Sequence, residues 1–332
     1  MPCARSNRTR KRVMNDEKHK DAAWVAEMFT ALRTAISAVV IGNDEAVRLS
    51  FVTLLCSGHS LYEGVPGVAK TLLVRTLAAT LGIRFGRIQC TPDLMPSDII
   101  GTPILLPEQG DFRFRPGPLF TDLLLVDEIN RAPAKTQAAL LEAMQERAAT
   151  VDGIRYALGE WFTVLATQNP IEQEGTYPLP EAELDRFLFK IRVGYPTAEE
   201  EVRILATHHV SAAPPVSAVL LSANELGHAR VIADAALARD EILQYAVALV
   251  RATRDHPAIA VGASPRAALW MVRAAKAIAA LEGRGFVLPE DVQAVIGPTL
   301  RHRVVLEPGA EVDGMSPDDA VEEVVRAVPV PH

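Results

Sequence analysis

Residues 64–71 read GVPGVAKT. The stretch fits the phosphate-binding pattern G-x-x-x-x-G-K-[ST] at every fixed position but one, because Ala69 stands where the second glycine belongs. Its surroundings decide the fold. Residues 59–63, just before it, are short and partly apolar and read as a strand. Residues 72–81, just after it, are strong helix formers, and Gly82 sits where a helix C-terminus is expected. A loop that joins strand to helix can aim backbone N–H groups, and a helix N-terminus, at an anion. Gly64 and Gly67 supply the tight backbone, Lys70 a point charge for the outer phosphates, and Thr71 a hydroxyl for Mg²⁺. Ala69 leaves two cases open. In a right-handed helical backbone its methyl group costs little; at positive φ it costs about 1 kcal/mol or more. The plain alternative is a strand–helix turn that happens to carry a lysine.

Working outward, residues 85–90, 123–126, 162–166 and 187–193 read as further strands. The run LLLV at 123–126 is apolar throughout, as in a strand covered on both faces of a parallel sheet. Helical patterns lie between the strands, notably at 136–146, so the class is α/β with a mostly parallel sheet. Upstream, Trp24, Met28, Leu32 and Ile36 recur at helical spacing; the pattern breaks at 40–43, and a second helix runs over 44–56. Two inserted hairpins are expected, one over 102–115 and one over 149–158 with Asp152-Gly153 as its turn. Beyond residue 196 no strand pattern is apparent. Residues 199–209, 223–235, 241–255, 264–281 and 289–300 read as helices, with Ser264-Pro265 as a helix start. The expected organisation is a basic tail (1–20), an α/β nucleotide-binding domain (21–195), an all-α domain (196–310) and an acidic C-terminal segment (311–332) with a short helix at 317–327.

The 332 residues are 49% hydrophobic, enough for a substantial core, and the net charge of −7 supplies no nucleic-acid-coating surface. Cys3, Cys56 and Cys90 form no spaced pair and read as reduced thiols, so a cytoplasmic location is expected. No run of about 18 apolar residues predicts a membrane span. Arg5, Arg8, Arg10, Lys11, Arg12, Lys18 and Lys20 crowd the first twenty residues without an apolar stretch behind them. That composition is no signal peptide; it reads as a disordered tail rather than a nucleic-acid arm, and Met14 offers an alternative start.

LLLVDEINRA (123–132) places Asp127 and Glu128 at the end of the buried strand. Such a pair can divide its labour: Asp127 holds Mg²⁺ through water, and Glu128 orients and deprotonates an attacking water. LATQNP (165–170) ends another strand with Thr167, Gln168 and Asn169, and an amide there can position the water or touch a phosphate. Arg186, just before a strand, and Arg266, at a helix start, read as surface ion pairs by composition alone.

In order and spacing these motifs resemble the MoxR-type AAA+ ATPases. The stretches that carry the resemblance are GHSLYEGVPGVAKTLL, FRFRPGPLFTDLLLVDEINRAPAKTQAALLEAMQE, TVDGIRYALGEWFTVLATQNPIEQEGTYPLPEAELDRFL, GASPRAALWMVRAAKAIA and LPEDVQAVIGPTLRHRV, which together span most of residues 40–305. The resemblance implies a P-loop NTPase core followed by an all-α lid, and an alanine before the loop lysine is usual in such proteins. Tyr62, where an aliphatic is usual, and Val126, where alanine is common, are small departures. The resemblance further implies ATP and Mg²⁺ as ligands. Ile41 and Gly42 would pack on adenine, and Gly64, Val65, Pro66, Gly67, Val68, Ala69, Lys70, Thr71 and Leu72 would form the nucleotide loop. Thr71 and Asp127 would serve the metal, with Glu128 as base and Asn169 as sensor 1. Arg186 resembles the finger that enters a neighbouring subunit's site, and Arg266 resembles sensor 2, reaching the nucleotide from the lid. The hairpins resemble inserts shared with the magnesium chelatase ATPase subunit. Relatives of this kind act as rings, usually hexamers, that remodel partner proteins, often ones with von Willebrand factor A domains.

Two other functions compete. A nucleic-acid motor is opposed by the charge of −7 and by aromatics at only 5%, with Arg113 and Arg115 the one feature in its favour. A nucleotide-bound scaffold that does not hydrolyse is opposed by the intact Lys70, Asp127, Glu128 and Arg186. No motif identifies the client.

Overall fold

The computed structural model describes residues 21–65, 67–106, 111–169, 176–208 and 219–331; the basic tail and Pro66 lie outside them. Helices α1 (Ala22–Ser37) and α2 (Asp44–Leu55) lead into β1 (Ser60–Glu63), and α3 (Lys70–Thr80) follows the loop directly. Next come β2 (Phe85–Gln89), α4 (Pro96–Ile100), β3 (Gly101–Leu106), β4 (Asp111–Pro116) and β5 (Leu123–Asp127). A single 3₁₀ turn (Ile129–Arg131) precedes α5 (Ala134–Glu146), β6 (Ala148–Val151), β7 (Ile154–Ala157), β8 (Thr163–Gln168), α6 (Glu181–Leu184) and β9 (Phe189–Arg192).

The main sheet has the order β2-β5-β8-β1-β9, and each neighbouring pair is parallel. β1, which feeds the loop, is therefore internal. The chain alternates faces along β5, which explains its unbroken apolar run. Leu123 and Leu125 join the core shared with α1, α2 and the C-terminal helices, whereas Leu124 and Val126 join a second core with α5. The two hairpins β3–β4 and β6–β7 are antiparallel. They meet through a stack of Phe114 on Tyr156, 4.2 Å between centroids, with Phe120 edge-on to both. Tyr62 is fully buried and its hydroxyl bonds to Ser50 on α2, so the departure from an aliphatic brings its own polar partner.

The C-terminal part comprises α7 (Ala198–His208), α8 (Ala223–Ala235), α9 (Asp240–Asp255), β10 (Ile259–Val261), α10 (Pro265–Leu281), α11 (Pro289–Leu300), β11 (Val305–Leu306), α12 (Pro308–Val312) and α13 (Pro317–Ala327). It is not wholly helical: β10 and β11 pair antiparallel, Ile259 against Leu306. Strands of three and two residues are too short to display an alternating pattern, so the sequence conceals them. The acidic C-terminal helix α13 packs inward through Ala320, Val321 and Val324. Among the described residues no helix is long and apolar enough to cross a membrane.

Candidate nucleotide site

In a parallel sheet the crevice lies beyond the carboxyl ends of the strands. Here β1, β5 and β8 deliver the loop, the Asp127–Glu128 pair and Thr167–Asn169 to that edge. They line a cleft of about 460 Å³ with Gly67, Ala69, Lys70, Thr71, Leu72, Arg87 and Gln89. Gly67, Ala69 and Leu72 also border an apolar slot of about 240 Å³ walled by Val39, Val40, Ile41, Asn43, Val68, Pro196 and Ile204. A polar cleft opening into an apolar slot has the shape of a nucleotide, with phosphates in one and base in the other. Gly42 adjoins the slot at φ 79°, a conformation suited to glycine.

The loop backbone explains its residues. A Cβ on Gly64 would lie 2.2 Å from the Val193 carbonyl oxygen, so no larger residue fits there. The Gly64 carbonyl accepts a hydrogen bond from Lys70 Nζ at 2.6 Å. Burial draws the Lys70 ammonium below the usual lysine range, against the opposing pull of Asp127, Glu128 and Glu63. Ala69 settles the open case in the costly direction: it caps α3 at φ 59°, ψ 21°, in the left-handed region. Glu128 is likewise left-handed, at φ 56°, ψ 51°. Two non-glycine residues held in this region on either side of one cleft are strain of the kind that gathers at functional sites.

Asp127 is buried at the end of β5. Its Oδ1 accepts from Thr167 Oγ1 at 3.3 Å, and its Oδ2 from Thr71 Oγ1 at 3.5 Å and from Arg87 Nε at 2.7 Å. The Glu128 N–H donates to Thr167 Oγ1 at 2.9 Å, and its carboxylate accepts from Gln89 Nε2 and Arg131 Nη1, each at 3.0 Å. Asn169 is buried on the cleft wall. Thr71 and Asp127 suit Mg²⁺, which takes hard oxygen ligands, keeps much of its water and shares the substrate's phosphates. Among the described residues no group of three or more His, Cys, Asp or Glu could hold a metal ion. Cys90, beside Asp127, has its thiol pushed up to about 12 by burial and the two carboxylates, so it stays protonated and inert.

Sequence reasoning missed Arg87 and Gln89. Both stand on edge strand β2, two residues apart and hence on one face, and the register sets Gln89 opposite Asp127. Alternating polar residues at the end of a strand were the available signal.

The two remaining arginines lie elsewhere. Arg186 and Arg266 line a second cleft of about 240 Å³ with Ser57, His59, Met144, Gln145, Arg147 and Trp270. His59 precedes β1 and Arg186 precedes β9, so this cleft is at the opposite edge of the sheet from Lys70. Four strand residues, at about 3.3 Å each, separate the edges. Arg266, expected to reach the nucleotide from the lid, is thus absent from the cleft that its own chain's Lys70 lines. It leans on Asp185 Oδ2 at 3.6 Å instead. Asp185 also accepts from Ser264 Oγ at 3.3 Å and from the buried Arg303 Nε at 2.7 Å. Arg303 reaches the Leu188 carbonyl at 3.1 Å as well, and this fastens the end of α11 to the segment before β9. Among the described residues Arg186 itself makes no ion pair, so pairing with Asp185 or Glu183 does not account for it.

Comparison with known proteins agrees with this geometry. Residues 59–189 match the ATPase family associated with various cellular activities (AAA), and residues 251–324 match the AAA lid domain. The chain is 45% identical to the uncharacterized protein YeaC of Bacillus subtilis, over 89% of this chain and 92% of that one. It is also 45% identical to Chaperone MoxR1 of Mycobacterium tuberculosis, over 92% and 84%, and 34% identical to protein MoxR of Paracoccus denitrificans, over 87% and 91%. A crystal structure from Cytophaga hutchinsonii, provisionally described as an ATPase, superposes with a TM-score of 0.89 at 38% identity, covering 97% of this chain and 99% of that one. The chain belongs to the MoxR family of AAA+ ATPases.

Proposed function

We propose that the chain hydrolyses ATP with Mg²⁺ at the cleft beyond β1, β5 and β8, within a ring of identical copies, and uses the cycle to remodel partner proteins. The observation that carries the chemistry is the convergence of Lys70, Thr71, Asp127 and Glu128 from separate elements on one 460 Å³ cleft. Lys70 and the N-terminus of α3 hold the phosphates. Thr71 and Asp127 would hold Mg²⁺, which would supply charge neutralisation at the phosphates. Glu128 takes the proton of the attacking water once Gln89 and Arg131 release its carboxylate, and Asn169 fixes that water or the γ-phosphate. The ring is supported by the distance between the phosphate cleft and Arg186 with Arg266. On this reading both arginines serve the next copy's nucleotide. Six copies, and a client with a von Willebrand factor A domain, are what the MoxR resemblance supports; the chaperone function is supported by the relative named Chaperone MoxR1.

The test is substitution at the carboxylate. Glu128→Gln keeps the side chain's shape and removes the base. It should bind ATP as the wild type does and lose at least about 100-fold in turnover, the low end of what a positioned base contributes. Lys70→Ala should lose nucleotide binding itself. Wild-type turnover in Glu128→Gln would sink the assignment of the base.

A further inference from the structure

Among the described residues, the cationic side chain bonded to Asp127 is Arg87. Arg87 Nε donates to Asp127 Oδ2 at 2.7 Å, the shortest hydrogen bond that carboxylate makes, and Arg87 Nη2 reaches Gln89 Oε1 at 2.9 Å. Oδ2 is also the oxygen nearest Thr71 Oγ1, at 3.5 Å. The point where Thr71 and Asp127 converge, which is the seat for a divalent ion, is therefore already engaged by a guanidinium. Arg87 is about half exposed (49%) and Asp127 only 11%, so the arginine can leave toward solvent while the carboxylate stays fixed. A guanidinium bonded to Oδ2 opposes a Mg²⁺ held there through water, since the two cations repel across a few ångströms and draw on the same oxygen. The geometry points to Arg87 as a positioning residue that occupies the cation seat on Asp127 until Mg²⁺ arrives with nucleotide and displaces it. The metal alone competes poorly with a tethered guanidinium. The metal carried on a polyphosphate wins, and the released guanidinium still lines the same cleft, where it faces the phosphates. Metal and nucleotide binding are thereby coupled. This inference rests on the proposed Mg²⁺–ATP site.

The test compares wild type with Arg87→Gln, using a fluorescent ADP analogue and a Mg²⁺ titration. Arg87→Gln should reach half-saturation at roughly three- to tenfold less Mg²⁺, the scale set by releasing one partly exposed ion pair. Arg87→Lys, which keeps the charge and loses the planar fork, should shift less. A second readout needs no nucleotide: millimolar Mg²⁺ should raise the thermal midpoint of Arg87→Gln and leave that of the wild type unchanged. A drop of less than threefold, no change, or a higher Mg²⁺ requirement overturns the role of Arg87, as does equal Mg²⁺ stabilisation of both proteins. Failure of the wild type to bind the analogue in Mg²⁺ would sink the parent reading, and this one with it. Normal binding with an unmoved Mg²⁺ midpoint sinks this one alone.

Discussion

Ala69→Gly converts the loop to the full glycine pattern, and the structure sets what it should do. Ala69 sits at φ 59°, ψ 21°. An L-residue with a Cβ pays roughly 1–2 kcal/mol in that region, and glycine does not. Glycine adds freedom to the unfolded chain, which takes back about 0.4–1 kcal/mol. The net expectation is a protein between unchanged and about 1.5 kcal/mol more stable. Ala69→Val moves the other way, because a β-branched residue at positive φ is an outlier, and should lose at least ~1 kcal/mol. The two variants should then differ by about 2 kcal/mol, a factor near 30 in the unfolding equilibrium. Urea unfolding of the nucleotide-free protein measures this, and titration with a fluorescent ADP analogue tests whether the loop still binds. Ala69→Gly should bind with wild-type affinity or better. A valine variant as stable as wild type, or a glycine variant more than 1 kcal/mol less stable, would refute a left-handed Ala69.

Arg186→Ala should bind ATP nearly normally and lose on the order of 10³-fold in hydrolysis. Mixing it with Lys70→Ala should restore activity, since one partner keeps the arginine and the other keeps the loop; mixed rings with no recovery at any ratio would refute a role in trans. Arg303→Met should destabilise the chain by roughly 3–5 kcal/mol in urea, because it removes from the joint between α11 and β9 the buried donor that the Asp185, Phe187 and Leu188 carbonyls share with the Asp185 carboxylate, and a loss under 1 kcal/mol would show that the joint is not under this control. Acid should weaken the fold from about pH 6.5 downward: burial, with help from Arg147, lowers His59 to about 3, and burial first, then Arg303, lowers His302 as well. Both imidazoles stay neutral in the folded chain while the unfolded chain takes up protons below its pKa, so stability present above pH 6.5 falls by about 1.4 kcal/mol per pH unit for His59; equal urea midpoints at pH 7.5 and 5.5 would contradict this.

Local pattern was enough for the sheet and for the residues that meet at its carboxyl edge. LLLVDE declares a buried strand with carboxylates at its end, and GVPGVAKT declares a loop between strand and helix. What the sequence left open depends on backbone or on distance. Ala69 could be weighed in either helical hand, and only the fold around it selects one. Arg87 belongs to a strand whose alternation is ordinary; its meaning comes from the register that lays β2 beside β5. Arg303 bonds to Asp185 across 118 residues, and no local pattern encodes that contact. β10 and β11 lie more than forty residues apart and are too short for any periodicity to show.

The second cleft is the strongest physical reason to expect a second copy. Arg147, Arg186 and Arg266 line it, and His59 beside them stays neutral. Arg147 is satisfied by the carbonyls of Ser57, Glu160 and Phe162. Asp185 is shared between Arg303 and Arg266. That leaves Arg186 without an acidic partner among the described residues, at the edge of the sheet its own phosphate cleft does not reach. Trp270 Nε1, on the same cleft, is buried without a hydrogen-bond partner there. A part-buried guanidinium left uncompensated is costly unless an anion completes it. On the proposed reading a triphosphate held by the next copy's Lys70 would be such an anion, and a closed ring would place one against every Arg186. On this account the nucleotide is part of the interface, and assembly measured by sedimentation should strengthen with a slowly hydrolysed ATP analogue and weaken in Arg186→Ala. Equal assembly with and without the analogue would mean that some other surface holds the copies together.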